Sequence, residues 1–350
     1  MHEPHMRRCF ELARQGLGRV SPNPLVGAVL VKDGRVIGEG FHARHGAPHA
    51  EPDCFANCTE DTTGATLYVN LEPCCHTKKL TPPCAPLVIA KKIAHLVISN
   101  LDPNPVVAGQ GVALLEAAGV KVTVGVLAEE GERLNEIFFH RMQTGRPFIT
   151  LKSAATLDGK TALPSGESKW ITGPEARLDG HWGRLAHDAI VVGAETVRAD
   201  DPALTVRIPG HTVERMPWRV VLTRSGRLPP SAQLWQNERT IVVTASAEVA
   251  VKATVVRLSQ LDPFPFTEFY EKLAALGIHS LHLEGGPGIH SMFLESGRVD
   301  RVTLYLAPKI MGEGRSLFHF TAGTLSSLPA LRDATIEMCG SDFKVSGRLS

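Results

Sequence analysis

No sign of charge dominates this chain. Lys and Arg number 37 against 36 Asp and Glu, a net charge of +1 over 350 residues. That leaves no electrostatic footprint for nucleic acid or an anionic membrane surface. Long apolar runs are missing as well, and none approaches the roughly 20 residues of a membrane span. The N-terminus, from Met1 to Arg8, leads into an amphipathic segment instead of a signal-peptide core. There is no internal repeat and no low-complexity tract. The seven Cys are an odd number without framework spacing, which excludes a disulfide scaffold and fits a reduced cytoplasm. What remains is ordinary for a soluble globular enzyme, 43% hydrophobic and 21% charged. The length predicts two domains.

Strands and helices alternate along the chain. Met6 to Leu17 reads as a helix, and Gly27–Val31 and Arg35–Glu39 as strands joined by the Lys32-Asp33-Gly34 turn. Pro48 and Pro52 flank His49 and Glu51, which opens a helix there. Thr66–Leu71 is a buried strand, Cys84 opens a helix to about Lys92, and Ala94–Ser99 and Val120–Val126 are strands around a Leu114–Ala118 helix. The alternation predicts a largely parallel sheet covered on both faces. A polar helical stretch then ends in Thr144-Gly145-Arg146-Pro147, a turn cluster and the expected boundary. The pattern restarts with strands at Phe148–Lys152, Ala189–Val192, Arg219–Thr223, Thr240–Thr244, Ser280–Glu284 and Val302–Leu306. Helices are expected over Pro174–His187, Phe266–Leu276 and from about Ile289.

The most informative pattern is His49-Ala50-Glu51, then Pro73-Cys74, then Cys84. One imidazole and two thiolates make a soft zinc set, and three protein ligands leave the fourth tetrahedral position open for water. A Glu two residues from the His can take that water's proton and return it to a leaving amine. H-x-E, P-C and a second Cys form the signature of hydrolytic deaminases of nucleobase-like rings. The usual P-C-x-x-C is stretched here, with residues 75–83 between the two Cys. A closed structural site would recruit Cys54, Cys58 or Cys75, and a metal-free reading makes all of them core thiols. Glu51 and Pro73 argue against both, having no purpose in a structural cage.

In the second half, Ser280–Glu284 runs into Gly285-Gly286-Pro287-Gly288 and a helix. A strand feeding a Gly-rich turn and a helix is a phosphate cradle, although these glycines equally describe a tight turn. Arg224 follows a strand ending at Thr223 and suits bidentate phosphate contact. The polar loop Asp200–Arg207 follows a buried strand, where α/β folds place ligands. Arg184 reads equally as a solvated helix charge, and Trp170 as core.

With these residues in place, the chain resembles the bifunctional deaminase–reductases of riboflavin biosynthesis over nearly its full length. The likeness rests on Pro22-Asn23-Pro24-Leu25-Val26-Gly27, Pro48–Glu51, Leu71–Cys74, Thr81–Cys84 and Asp102–Pro105. Further on it rests on Leu157–Lys160, Gly166–Ser168, Trp170–Thr172, Ala199–Arg207, Glu284–Pro287 and Ala307–Lys309. The resemblance implies an α/β chain with a cytidine-deaminase-like three-layer domain over 1–145 and a dihydrofolate-reductase-like domain over 146–350. It implies two consecutive reactions on a small-molecule phosphoribosylaminopyrimidine. The first is zinc-dependent loss of the 2-amino group of 2,5-diamino-6-(5-phosphoribosylamino)pyrimidin-4-one, and the second is NADPH reduction of the ribosyl group to ribityl. One Zn²⁺ per chain, a cytoplasmic location, a homo-oligomer, and no nucleic-acid or membrane partner go with it.

By the same resemblance, His49, Cys74 and Cys84 hold the metal and Glu51 shuttles the proton. Asn23, His42, His76 and Lys79 hold the deaminase substrate. Ser168, Arg184, Leu204, Arg207 and Glu284 hold the reductase substrate, with Lys152 near the reducing centre. Ala154, Trp170, Thr196, Asp200 and Gly286-Pro287-Gly288-Ile289-His290 contact NADPH; Thr223 and Arg224 are added to this set from their place at a strand end, not from the resemblance. Three departures stand out. The loop after Cys74 is one residue longer at Lys78-Lys79-Leu80, so either lysine can meet a phosphate. Cys75 stands where Ser is usual, and Pro52-Asp53-Cys54 is uncommon. The rival readings are a nucleoside or RNA-base deaminase with an unrelated second domain, a scaffold with degenerate sites, and a chain with one active half. The missing basic patch argues against RNA, and the intact ligand set against degeneracy.

Overall fold

A computed structural model describes residues 2–77, 80–319, 321 and 323–349. The chain folds as two compact units, Met1–Arg146 and Pro147–Ser350.

The first unit begins with α1 (Glu3–Arg14), β1 (Gly27–Lys32) and β2 (Arg35–Phe41). There follow α2 (Ala50–Ala56), β3 (Thr66–Leu71), α3 (Cys84–Ala90), β4 (His95–Asn100), α4 (Gln110–Ala117), β5 (Lys121–Val124), α5 (Ala128–Leu134) and α6 (Glu136–Thr144). The sheet order is β2-β1-β3-β4-β5. β3, β4 and β5 are parallel, but β1 is antiparallel to both neighbours. The sheet is therefore less parallel than strand–helix alternation predicts. The cause is local: Asp33 and Gly34 both have positive φ, 50° and 75°, the two-residue turn that reverses a strand at once.

Period-two alternation sorts this unit into three layers. Val29, Val31, Tyr68 and Val97 pack with Met6, Cys9 and Phe10 of α1. Ala28, Leu30, Leu67, Val69 and Leu96, on the other face, pack with residues of α2 and α3 such as Cys54, Phe55, Ala85 and Val88. Gly40 lets α2 lie directly on the sheet, since a Cβ there would sit 2.2 Å from the Cys54 nitrogen.

The second unit contains β6 (Phe148–Thr156), β7 (Lys160–Ala162), α7 (Pro174–Leu185), β8 (Ala189–Gly193), α8 (Ala194–Asp200), β9 (Trp218–Leu222), β10 (Thr240–Thr244) and β11 (Thr254–Arg257). It continues with α9 (Phe266–Ala274), β12 (Ser280–Leu283), α10 (Pro287–Glu295), β13 (Arg301–Ala307), β14 (Arg315–Ser316), β15 (Leu331–Cys339) and β16 (Asp342–Leu349). Its main sheet has the order β11-β10-β9-β8-β12-β6-β13-β16-β15. The strands from β11 to β13 run parallel, and β16 and β15 are antiparallel. Ile149, Val191, Val220, Val243 and Leu281 meet α9 and α10 on one face. Ile190, Val192, Val221 and Val242 meet α8 on the other. The residue pattern leaves α8, β7, β11, β14 and the β15–β16 hairpin unmarked. β15 is an edge strand exposed along most of its length, with Ile336 at 72%, so it lacks the alternation that marks a strand.

Candidate active sites

Three elements converge on the zinc-type cluster. His49 is the extended N-cap residue of α2. Cys74 follows β3 by three residues, and Cys84 is the first residue of α3. The two thiols are brought together by main chain: Cys84 and Ala85 donate their N–H groups to the Cys74 carbonyl at 2.9 and 3.1 Å. His49 Nδ1 lies 3.5 Å from Cys74 Sγ and 3.4 Å from Cys84 Sγ. The three ligand atoms fall within 4.8 Å of one another, and among the described residues they are the one such cluster. A tetrahedral Zn²⁺ with bonds of about 2.0–2.3 Å needs ligand atoms at about this spacing, so the donor set fits. Cys54 stays outside it, and burial pushes that thiol up to about 12.

Glu51, only 3% exposed, lies two residues after His49 in the first turn of α2. Burial raises its carboxyl pKa and the Cys74 sulfur adds to the rise, with His49 opposing; a bound cation acts in the opposing direction too. Asp53, the unusual residue after Pro52, accepts the Phe41 N–H at 2.9 Å and so ties α2 to the end of β2.

Neighbouring side chains brace the ligands. The His42 ring pairs through Nδ1 with the Pro48 carbonyl (2.8 Å) and through Nε2 with the Asn23 amide (3.0 Å). Two expected substrate contacts thus hold each other beside the metal loop, the His42 ring standing edge-on to His49 at 5.3 Å. His76 has a buried Nδ1 with no hydrogen-bond partner among the described residues. Lys79, like Lys78, lies outside the described residues. Three buried polar residues went unread in the sequence. Glu72 accepts the N–H groups of Asp102, Gly109 and Val112 at 2.9–3.1 Å. Asn70 and Asn135 both bond Leu25 and so hold the Pro22–Leu25 loop. The signal available for Asn70 was an amide inside an otherwise apolar strand.

The second unit has a cleft of about 2030 Å³ at the C-terminal ends of β8, β9 and β12, where parallel sheets bind ligands. Thr196, Asp200, Thr223, Arg224 and the run Gly286 to His290 line it, together with Ser168 and Glu284. Gly286 is the N-cap of α10. A Cβ on Gly288 would meet nothing, and one on Gly286 only the Thr196 hydroxyl at 3.8 Å, so the helix start is open to a ligand. His290, 1% exposed, has two buried ring nitrogens without hydrogen-bond partners among the described residues. Open backbone N–H groups with a buried imidazole beside them suit the diphosphate of a nucleotide cofactor. Ala154 and Trp170 stand outside this lining. Ala154 lies within β6, paired with Tyr305, and the 67% exposed Trp170 carries the Arg177 guanidinium over its ring at 4.6 Å.

The remaining residues gather around α7. Arg184 is not a solvated charge: it pairs with Glu284 and donates Nη1 to the Thr205 carbonyl at 2.8 Å. Leu204 is buried in the same turn, and Arg207 ends it. Lys152 has its ammonium 5.6 Å from the Tyr305 ring. Burial lowers its pKa, against the pull of Glu284.

Comparison with known proteins follows this division. Residues 1–100 match the cytidine and deoxycytidylate deaminase zinc-binding region, and residues 147–345 match the RibD C-terminal domain. The chain is 44% identical over 322 residues to riboflavin biosynthesis protein RibD of Actinobacillus pleuropneumoniae, covering 88% of this chain and 84% of that one. RibD of Acinetobacter baumannii is similar in structure with a TM-score of 0.90 at 35% identity, covering 99% and 98% of the two chains. A Thermotoga maritima diaminohydroxyphosphoribosylaminopyrimidine deaminase/5-amino-6-(5-phosphoribosylamino)uracil reductase gives 0.88 at 40%, covering 100% and 99%. Fold and sites together define a zinc deaminase joined to a nucleotide-cofactor reductase, the first cytidine-deaminase-like and the second dihydrofolate-reductase-like. With relatives of this identity spanning most of its length, the chain belongs to the RibD family. No helix among the described residues is long and apolar enough to cross a membrane.

Proposed function

We propose that the chain catalyses two consecutive steps of riboflavin biosynthesis. Residues 1–145 hydrolyse the 2-amino group from 2,5-diamino-6-(5-phosphoribosylamino)pyrimidin-4-one, and residues 146–350 reduce the ribosyl group of the product to ribityl. The observation that carries the reading is the buried Glu51 carboxylate beside a three-ligand cluster with no fourth protein ligand among the described residues.

His49, Cys74 and Cys84 would hold a Zn²⁺, and that ion would supply a water acidic near neutral pH. Glu51 takes the proton of the attacking water and delivers it to the departing amine. Asn23, His42, His76 and Lys79 hold the substrate, with His42 fixed by its Pro48 bond. In the second unit, the residues of the cleft would hold NADPH, which would supply the hydride. Thr196, Asp200, Thr223, Arg224 and Gly286 to His290 hold the cofactor, with Ala154 and Trp170 as further cofactor contacts. Ser168, Arg184, Leu204, Arg207 and Glu284 hold the phosphoribosyl group. Lys152, whose buried ammonium gives up a proton more readily than a surface lysine, serves the ribose oxygen. The protein works in the cytoplasm, which its seven cysteines outside any disulfide suit, and as a homo-oligomer, which sedimentation tests.

Full-length enzyme given the diaminopyrimidine substrate should release ammonia without NADPH and oxidise NADPH only after that release. Faster ammonia release from cytidine than from this substrate would favour a nucleoside deaminase instead.

A further inference from the structure

The turn after α8 carries Leu204 and Arg207, two of the residues assigned to the phosphoribosyl group. Leu204 has φ 48°, a left-handed conformation that persists only where its surroundings enforce it. Helix α7 supplies two holds. Arg184 donates Nη1 to the Thr205 carbonyl at 2.8 Å. Three residues earlier, on the same helical face, His181 Nδ1 accepts the main-chain N–H of Arg207 at 3.3 Å. The Arg207 guanidinium is exposed and turns back onto the Thr205 hydroxyl.

His181 is half-buried between two cations. Burial first, then the charges of Arg184 and Arg207, press its pKa down to about 4, while Glu284 and the Thr205 carbonyl oppose the shift. The ring is therefore neutral near pH 7, and a neutral imidazole keeps one nitrogen free to accept.

We propose that His181 is a positioning residue of the reductase: its Nδ1 hooks the Arg207 main chain to α7 and so aims the Arg207 guanidinium at the phosphate of the substrate. This rests on the reading of Arg207 as a substrate contact. Guanidinium recognition of phosphate is geometric, a planar fork on two oxygens. Aiming the fork before binding removes an ordering cost from the binding step. A ring that only filled space would have no use for its nitrogen.

The test uses full-length enzyme and its deaminated, phosphorylated intermediate. Asn places an acceptor close to the position of Nδ1, whereas Gln places its polar end near Nε2. His181→Asn should keep the reductase KM within about threefold, while His181→Gln and His181→Leu raise it roughly tenfold with kcat little changed, the scale of one lost hydrogen bond. In an Arg207→Ala background the same substitutions should add nothing. Deaminase rate and melting on the same samples report intact protein, and if the Leu variant does not fold, the Asn–Gln contrast decides. An unmoved KM in Gln and Leu, a loss confined to kcat, or a working Gln beside a failing Asn overturns the proposal. Should Arg207→Ala itself leave KM unchanged, the substrate reading of Arg207 falls. Should Arg207→Ala raise KM where His181→Leu does not, only the hook falls.

Discussion

Arg184 and Glu284 meet in a two-pronged ion pair, Nε to Oε1 at 2.6 Å and Nη2 to Oε2 at 2.7 Å, with 16% and 10% of their side chains exposed. The pair rivets α7 to the end of β12, where the cleft begins. Burial alone would raise the Glu284 pKa; the charge and hydrogen bonds of Arg184 outweigh it and hold the carboxyl well below the usual range.

Breaking that pair from one side should be costly. Arg184→Met or Glu284→Leu leaves an uncompensated buried charge, a loss of about 3 kcal/mol. The double variant should recover much of it. Urea unfolding of the three proteins checks this, and a double variant as unstable as the sum of the singles would show no coupling.

Glu51→Gln should keep one zinc per chain and lose deamination by at least roughly a hundredfold, because it removes the proton carrier and no ligand. Cys75→Ser should also keep zinc, and Cys74→Ser should not. Metal content and ammonia release on each variant decide it. Zinc lost from Cys75→Ser but kept in Cys74→Ser would shift the ligand set by one residue.

Acid should destabilise the second unit. Burial, then the Lys152 charge, lowers His290 to about 4, and burial likewise lowers His181 to about 4 and lowers His187 and His282. Unfolded, each titrates near 6.5. Between these values the unfolded chain binds protons that the folded one refuses, so stability rises with pH through the window and is lost as pH falls from 6.5 to 4. His290 alone accounts for about 3 kcal/mol of that loss. All four Trp lie in this unit, so fluorescence-detected urea unfolding from pH 4.5 to 7.5 reports on it. A His290→Gln variant with an unchanged slope would refute the assignment.

NADPH should be preferred to NADH. Arg224 is exposed at the cleft wall beyond Thr223, in a turn fastened by the Gly226 N–H to the Thr223 hydroxyl at 3.2 Å. Arg224→Ala should weaken NADPH binding roughly tenfold and leave NADH nearly unchanged, the loss of one charge-assisted phosphate contact. Steady-state kinetics with both cofactors separates this from a diphosphate contact, which would weaken both equally.

What could be read in the sequence was whatever the chain's own spacing enforces. His49, Glu51, Cys74 and Cys84 were legible because their chemistry narrows the residue types, and the flanking prolines mark a helix that does start at Ala50. The Gly286 turn was legible because a strand, glycines and a helix follow in order. Partnerships over long separations were not. Nothing near Arg184 announces Glu284, 100 positions on, and Glu72 looks like a motif residue until its three N–H donors are seen. The helix expected from Met6 starts at Glu3 and stops at Arg14, since propensity fixes ends poorly. The β15–β16 hairpin escaped because an exposed edge strand shows no buried face.

The two main-chain bonds from Cys84 and Ala85 to the Cys74 carbonyl close the neck of the loop between the metal ligands. Once a loop's ends are joined, lengthening it costs little, about 0.6 kcal/mol per doubling. Residues 75–83 can therefore change in number and kind while the sulfurs stay in register. Reaction and recognition are thus separately mutable here: the loop is an interchangeable reader set in a fixed frame, and substrate preference can drift or be redesigned without re-solving the metal chemistry.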